Sequence, residues 1–321
     1  MSYAATATLA ALRRRAELLA RIRAFFAARG VLEVETPALS SAGVSDLALE
    51  SVTAAARSLG PRTQYLHTSP EYAMKRLLAA GSGDIYQLCR VFRDDELGRW
   101  HQPEFTLLEW YRVGWDDARL MDEVDALLRE VLAGERAVRR SVRVTYSDAL
   151  ERALGVAADA SPERVAEELA ERGIDVPRGL GPGALLDLAF ASVVVPSFAP
   201  EALTFVYDYP ATQAALARLK PGPPLVAARF EVFARGIELG NGFHELTDAA
   251  EQRRRFEREI DARRRAGRPA PPLDEDLLAA LASGLPDCAG VAIGIDRLVA
   301  VALGADGIAA ALSFAHAPKL G

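Results

Sequence analysis

Apolar positions recur every three or four residues from Leu9 to Arg29, with Leu12, Ala16, Leu19, Ile22 and Phe26 on one stripe. That period predicts an amphipathic helix, and Gly30 stands where a left-handed residue would close it. Residues 31–36 alternate as a short strand that Pro37 breaks, and 40–45 read as loop. Two β-rich runs, 85–93 and 105–113, flank a polar stretch at 94–103 and predict a long hairpin. The helical period returns over 121–137 and 161–173, where Ser161-Pro162-Glu163 is a helix start. Through the Gly- and Pro-rich 178–183 this middle stretch, about 121–200, reads as a helical insertion. Strand patterns follow at 203–209, 226–233 and 237–239, then an Arg-rich helix at 248–266, a Pro-rich linker at 268–273, a strand at 290–294 and a helix to Leu303. Hairpin-joined strands with helices grouped outside predict an α+β domain, 1–321, around an antiparallel sheet.

Composition narrows the function. With 38 Lys and Arg against 44 Asp and Glu the net charge is −6, so no bulk basic field serves nonspecific nucleic-acid binding. Lysine occurs only at Lys75, Lys220 and Lys319, so the Arg runs reflect a general Arg preference as much as local design. Cys89 and Cys288 stand far apart without a CxxC, which argues against a disulfide framework or a cysteine-rich zinc site and predicts a reduced, cytoplasmic setting. No apolar run approaches the roughly 18 residues of a membrane span, and the start of the chain lacks the pattern of an export signal. The GxxxxGK[ST], GxGxxG, GxSxG and HExxH patterns are missing. His67, His101, His244 and His316 include no pair at metal-ligand spacing, which gives them structural or peripheral roles.

Candidate chemistry concentrates in three places. Glu231, Glu238 and Glu245 recur every seven residues in RFEVFARGIELGNGFHEL. A helix would make them one solvated stripe, but three glycines in that segment each cost a helix about 1 kcal/mol, and its apolar residues are strand formers. A hairpin with its turn at Ala234-Arg235 sets Glu231 directly opposite Glu238. Such a like-charge pair is either solvated or bridged by a cation, and hard carboxylates suit Mg²⁺. Glu109 and Tyr111 share a strand face with Phe105 and Leu107, where a carboxylate needs a partner, either an Arg in a structural ion pair or a ligand. Arg93 ends one strand and Arg297 opens the last helix, both suited to face an anion.

In combination these segments resemble the class II aminoacyl-tRNA synthetases, and among them the lysyl enzymes. VLEVETPAL after the first helix resembles motif 1, RVFRDDELGRWHQPEFTLLEWY motif 2 and GVAIGIDRLVAVALG motif 3, while TSPEYAMKRLL and EVFARGIELGNGFHELTD match the lysyl subgroup. Lysyl-tRNA synthetases carry an N-terminal OB-fold that reads the anticodon; here motif 1 begins within the first turns, and no such domain is expected. That departure, with SPE in place of APE and Ala292 in place of a motif 3 Gly, resembles the elongation factor P β-lysine ligase branch.

The resemblance implies a class II catalytic domain that uses ATP and Mg²⁺ to activate (R)-β-lysine, or lysine, and to acylate a lysine of elongation factor P. It implies a homodimer without anticodon contact and without a membrane. Arg93 and Arg297 would be the catalytic pair, with Asp94, Asp95, Gln102, Phe105, Glu238, Leu239 and Gly294 completing the ATP site. Ser69, Pro70, Glu71, Glu109, Tyr111, Asn241, Glu245 and Ala292 would surround the amino acid, and Glu231 and Glu238 would carry the metal. Asp95 and Gln102 replace the usual Glu and Asn, so the acidic triplet Asp94-Asp95-Glu96 is expected to share the adenine contact. Two readings stand beside this one: a compact lysyl-tRNA synthetase-like enzyme that charges tRNA, and a non-catalytic regulatory paralogue. The Arg-rich helix is a solvated face or a dock for an acidic protein substrate.

Overall fold

Thr8 starts the first helix, α1 (Leu9–Ala27): its hydroxyl accepts from the Ala11 N–H at 3.1 Å. The computed structural model describes residues 4–134 and 138–317. The 1–321 stretch expected as one domain divides into two compact units, 1–115 with 246–321 and 116–245. The buried stripe of α1 is Ala11, Leu18, Ile22, Phe25 and Phe26, rotated from the expected one, so that Ala16 is exposed. Gly30 is left-handed (φ 66°), as its place after the helix requires. The expected strand at 31–36 shrinks to β1 (Leu32–Glu33), followed by the short β2 (Leu39–Ser40), β3 (Thr53–Ala54) and β4 (Gln64–Leu66), which form a separate sheet in the order β2-β4-β3. A helix absent from the sequence reading, α2 (Glu71–Ala79), precedes the predicted hairpin, β5 (Ile85–Phe92) and β6 (Glu104–Val113). Phe26 stacks on Tyr86 at 4.5 Å and meets Trp110 edge-on at 5.3 Å, so α1 is bound to the hairpin by aromatic burial.

The second unit opens with α3 (Asp117–Val131), shorter than the expected 121–137, whose last residues, 135–137, lie outside the described residues. The insertion at about 121–200 is not wholly helical. Its Arg140-Ser-Val-Arg-Val-Thr stretch alternates with period two and forms β7 (Arg140–Thr145), parallel to β8 (Ala202–Pro210). Between them lie α4 (Tyr146–Leu154), α5 (Pro162–Glu171) and α6 (Pro182–Ala189). Their apolar faces close over rings of Tyr146, Phe190, Tyr209 and Phe233, with Tyr146 stacked on Phe190 at 4.8 Å. The unit ends with β9 (Leu219–Lys220), β10 (Val226–Ala234) and β11 (Ile237–His244), in the order β11-β10-β8-β7 with β9 beside β10.

The chain then returns to the first unit as α7 (Ala249–Arg265), α8 (Glu275–Gly284), β12 (Cys288–Gly294) and α9 (Ile295–Ala302). Within that unit the strand order is β1-β5-β6-β12, antiparallel except for β1 beside β5. The α+β class therefore holds, and β1-β5 and β7-β8 pair in parallel. Lys319 lies outside the described residues.

Candidate active site

In the first unit, three strands present the expected residues. Strand register sets Glu109 of β6 directly across from Gln87 of β5 on one side and Ala292 of β12 on the other. Directly opposed residues share a face, so the Ala292 methyl stands beside the Glu109 carboxylate. Glu109 is 3% exposed and accepts a 2.6 Å hydrogen bond from the Tyr111 hydroxyl on the same strand face, where an Arg or a ligand was expected as its partner. Burial and then the Glu109 charge push the Cys89 thiol up to about 12.

Glu71 opens α2 behind Ser69 and Pro70, and the Ser69 hydroxyl accepts from the Glu71 N–H at 3.3 Å. Its carboxylate accepts from Lys75 Nζ at 2.7 Å, an i,i+4 pair in which Lys75 is 2% exposed. Lys75 was not singled out by the sequence, although a Lys four residues after Glu71 on a helix face is a readable signal.

Arg93 follows β5, and its N–H donates to the Pro103 carbonyl at 2.9 Å, closing the neck of the 94–103 loop. Its guanidinium lies 5.0 Å from the Phe105 ring centroid and 3.8 Å from the Glu96 carboxylate. Phe105, expected to stack on adenine, thus has an Arg over its face already. Asp94 and Asp95 are exposed; the Asp94 carboxylate accepts from the Asp95 N–H at 2.9 Å, and Asp95 is left-handed at φ 61°. Gln102, expected in the ATP set, meets the backbone of His316. It is 4% exposed, and its amide both donates to the His316 carbonyl (3.1 Å) and accepts from the His316 N–H (2.7 Å).

Gly294 is the N-cap residue of α9, and Arg297 lies in the first turn. Arg297 donates to the Trp100 carbonyl at 3.3 Å and lies 2.7 Å from His101 Nε2, so a histidine expected at the periphery touches a candidate catalytic side chain. Asp296 is a second residue the sequence reading missed. Buried at 2% exposure, it accepts from Arg15 of α1 at 2.5 Å and from the Thr106 N–H of β6 at 2.8 Å, while Arg15 also donates to the Thr106 hydroxyl at 2.8 Å. This triad fixes the residues next to Phe105 and Arg297; the only sequence signal was an Asp immediately before the Arg.

The second unit carries the remaining set on the β10-β11 hairpin, with one correction. The turn is Arg235-Gly236, both left-handed (φ 55° and 72°), not Ala234-Arg235. A two-residue turn that follows the strand twist needs positive φ at both central positions, and Gly236 supplies the second at no steric cost. Glu238 therefore stands across from Phe233, and a bulge between Val232 and Phe233 shifts Glu231 to face Asn241. Leu239, at the bulge, is buried at 1% exposure. The two glutamates nonetheless interact: burial raises the Glu231 carboxyl, the Arg229 charge lowers it, and the Glu238 charge raises it further. Arg229, two residues before Glu231 on the same strand, also escaped the sequence reading. It donates to Glu231 at 2.6 Å, to Asn241 Oδ1 at 3.3 Å and to the Gln213 carbonyl at 2.7 Å. Glu245 is 1% exposed just beyond β11 and bridges to Ala217.

The family profile described as tRNA synthetases class II (D, K and N) matches residues 1–318. The chain belongs to the class II tRNA synthetases. It is 48% identical over 317 residues, 96% of each chain, to proteins named elongation factor P (R)-β-lysine ligase from Salmonella paratyphi B, Salmonella schwarzengrund and Salmonella choleraesuis. As a class II synthetase the protein is an ATP-dependent ligase. Chemistry in a class II synthetase needs charge stabilisation and positioning rather than an enzyme nucleophile, which suits a site made of arginines, carboxylates and one aromatic face. Among the described residues no helix is long and apolar enough to cross a membrane.

Proposed function

We propose that the protein activates (R)-β-lysine as an adenylate and transfers it to a lysine ε-amine of elongation factor P. The near full-length identity to proteins of that name carries this reading. A carboxylate oxygen of the amino acid attacks the α-phosphorus of ATP, and the bond to the bridging oxygen breaks as pyrophosphate leaves. The neutral ε-amine of the acceptor then attacks the acyl carbon, AMP leaves, and the amine proton passes to water. Arg93 holds the α-phosphate and the developing charge, Phe105 stacks on adenine, and Arg297 reaches the nucleotide from α9. Asp94, Asp95, Leu239 and Gly294 line the nucleotide through side chain or backbone. Glu71, Glu109 and Glu245 take the two ammonium groups, with Ser69, Pro70, Tyr111 and Ala292 shaping the pocket and Asn241 on the carboxylate. The buried Glu109 carboxylate with its Tyr111 donor supports a cationic substrate.

Glu231 and Glu238 fit a divalent ion. They are hard oxygen donors whose charges act on each other, and among the described residues no cluster of three or more His, Cys, Asp or Glu makes a complete cage. Glu231 and Glu238 would hold Mg²⁺, which when bound would neutralise phosphate charge. Arg229 orients Glu231 for that role. Exposed Leu9, Leu32 and Leu39 on α1, β1 and β2 are apolar surface that a homodimer would bury. Free Cys89 and Cys288 support a cytoplasmic setting.

ATP–pyrophosphate exchange tests the activation step. Exchange that depends on (R)-β-lysine and exceeds that with α-lysine is the expected result; exchange with neither contradicts the assignment. Bulk tRNA charged under the same conditions would favour a compact tRNA-charging enzyme.

A further inference from the structure

Helix α7 holds the Arg run that the proposed reaction leaves without a task. Most of its arginines pair locally, Arg254, Arg255 and Arg258 with Glu251, Arg253 with Glu275 and Arg264 with Asp261. Arg263 is different. It is 1% exposed, and its guanidinium donates to the Glu50 carboxylate (2.6 Å) and to the carbonyls of Asp46 (2.7 Å), Leu49 (2.7 Å) and Pro269 (2.5 Å). A planar fork of fixed donors can serve four acceptors at once, which a lysine ammonium cannot do in the same plane. Just beyond α7, Arg268 adds a 2.7 Å bond to the Leu47 carbonyl. The 46–50 segment is thus held by one buried cation and its neighbour rather than by regular structure.

That segment leads to the candidate active site. The Glu50 carbonyl accepts from the Asp94 N–H at 2.9 Å in an isolated antiparallel bridge. Asp94 is the residue after Arg93, whose own N–H closes the loop neck on Pro103. Arg263 therefore lies two bonded steps from the start of the 94–103 loop, and those steps run through Glu50.

We propose that Arg263 is a positioning residue for nucleotide binding: by fixing residues 46–50 it sets where the 94–103 loop departs from β5. The inference rests on the reading of Arg93 and its loop as the ATP site. A network of this kind carries coupling without touching the ligand. Arg263 makes no contact with Glu71 or Glu109 among the bonds above, so its effect falls on ATP and not on the amino acid.

The test compares Arg263→Met, Arg263→Lys and the control Arg253→Met in full-length protein. Two readouts are needed: KM for ATP and for (R)-β-lysine in pyrophosphate exchange, and the hydrogen-exchange rate of the Asp94 amide. Arg263→Met is expected to raise KM for ATP about tenfold with KM for the amino acid within about twofold, and to speed Asp94 exchange by a similar factor. Arg263→Lys should fall between, and Arg253→Met should match the unsubstituted protein. Should the Met variant not fold, the Lys variant decides by the same criteria. An unchanged Asp94 amide, an unchanged KM for ATP, or an equal rise in both KM values overturns the inference. If the unsubstituted protein shows no pyrophosphate exchange, the ATP reading has failed, and the Asp94 amide alone decides whether Arg263 sets the loop.

Discussion

Among single side chains, Arg93 is the one proposed to carry the largest share of the chemistry. A preorganised donor aimed at developing phosphate charge is worth on the order of 3 kcal/mol. Arg93→Ala is therefore expected to lower the pyrophosphate-exchange rate about a hundredfold while leaving the fold intact, since its side chain is 27% exposed and the loop neck is closed by its backbone N–H. Loss below about threefold would remove Arg93 from the transition state. Ala292 is expected to act through selectivity. Its methyl stands across from Glu109, and one methyl at a pocket wall is worth about 1–3 kcal/mol of discrimination. Ala292→Gly should shift the ratio of kcat/KM for α-lysine to that for (R)-β-lysine upward by about tenfold or more; an unchanged ratio would place the selectivity elsewhere. The shared strand face of Glu109 and Tyr111 was readable from their two-residue spacing; the bond between them was not. The Gln102 amide contact to the backbone of His316, 214 residues away, was not readable either, because it leaves no local pattern.

Elements with capping residues and clear period were legible, and those set by tertiary contact were not. α1, α7 and the β5-β6 hairpin lie within a few residues of their expected bounds. β7 was hidden because its Arg-Ser-Val-Arg-Val-Thr pattern is short and forms only where β8 pairs with it. The β10-β11 register was missed because a bulge adds one residue to one strand, which no alternation pattern announces. α8 also escaped, although Asp274 caps it with a 2.9 Å bond from the Leu277 N–H. Asp274→Ala should cost about 1 kcal/mol, read as a lower urea midpoint at unchanged slope; no shift would assign α8's start to packing alone.

The contact between β9 and α3 predicts a pH signature. Lys220 of β9 donates to Asp117 and Asp208 at 2.7 Å each. Burial lowers its pKa, but hydrogen bonds and charge from the two aspartates outweigh burial and hold it above its ordinary 10.5. A raised folded-state pKa means the folded state binds the proton more tightly. The stabilisation is thus complete below about 10.5 and is lost as pH climbs past the folded value. With Lys220 34% exposed, Lys220→Met should cost about 1–2 kcal/mol. That cost should be constant between pH 7 and pH 9 and shrink above pH 10.5; a cost that grows with pH would contradict the sign.

At the scale of the whole molecule, two compact units share the candidate residues. Arg93, Arg297, Glu71 and Glu109 belong to residues 1–115 with 246–321, and Glu231 and Glu238 belong to 116–245. A chain of net charge −6 offers little to a tRNA backbone, and a protein acceptor asks for no such field. Acyl transfer to a protein amine is thus the central claim, and the most direct measurement is the intact mass of elongation factor P after incubation with this protein, ATP, Mg²⁺ and (R)-β-lysine, with bulk tRNA present as a competing acceptor. The account predicts a gain of one β-lysyl group on the factor and none on tRNA. Charged tRNA beside an unmodified factor would contradict it.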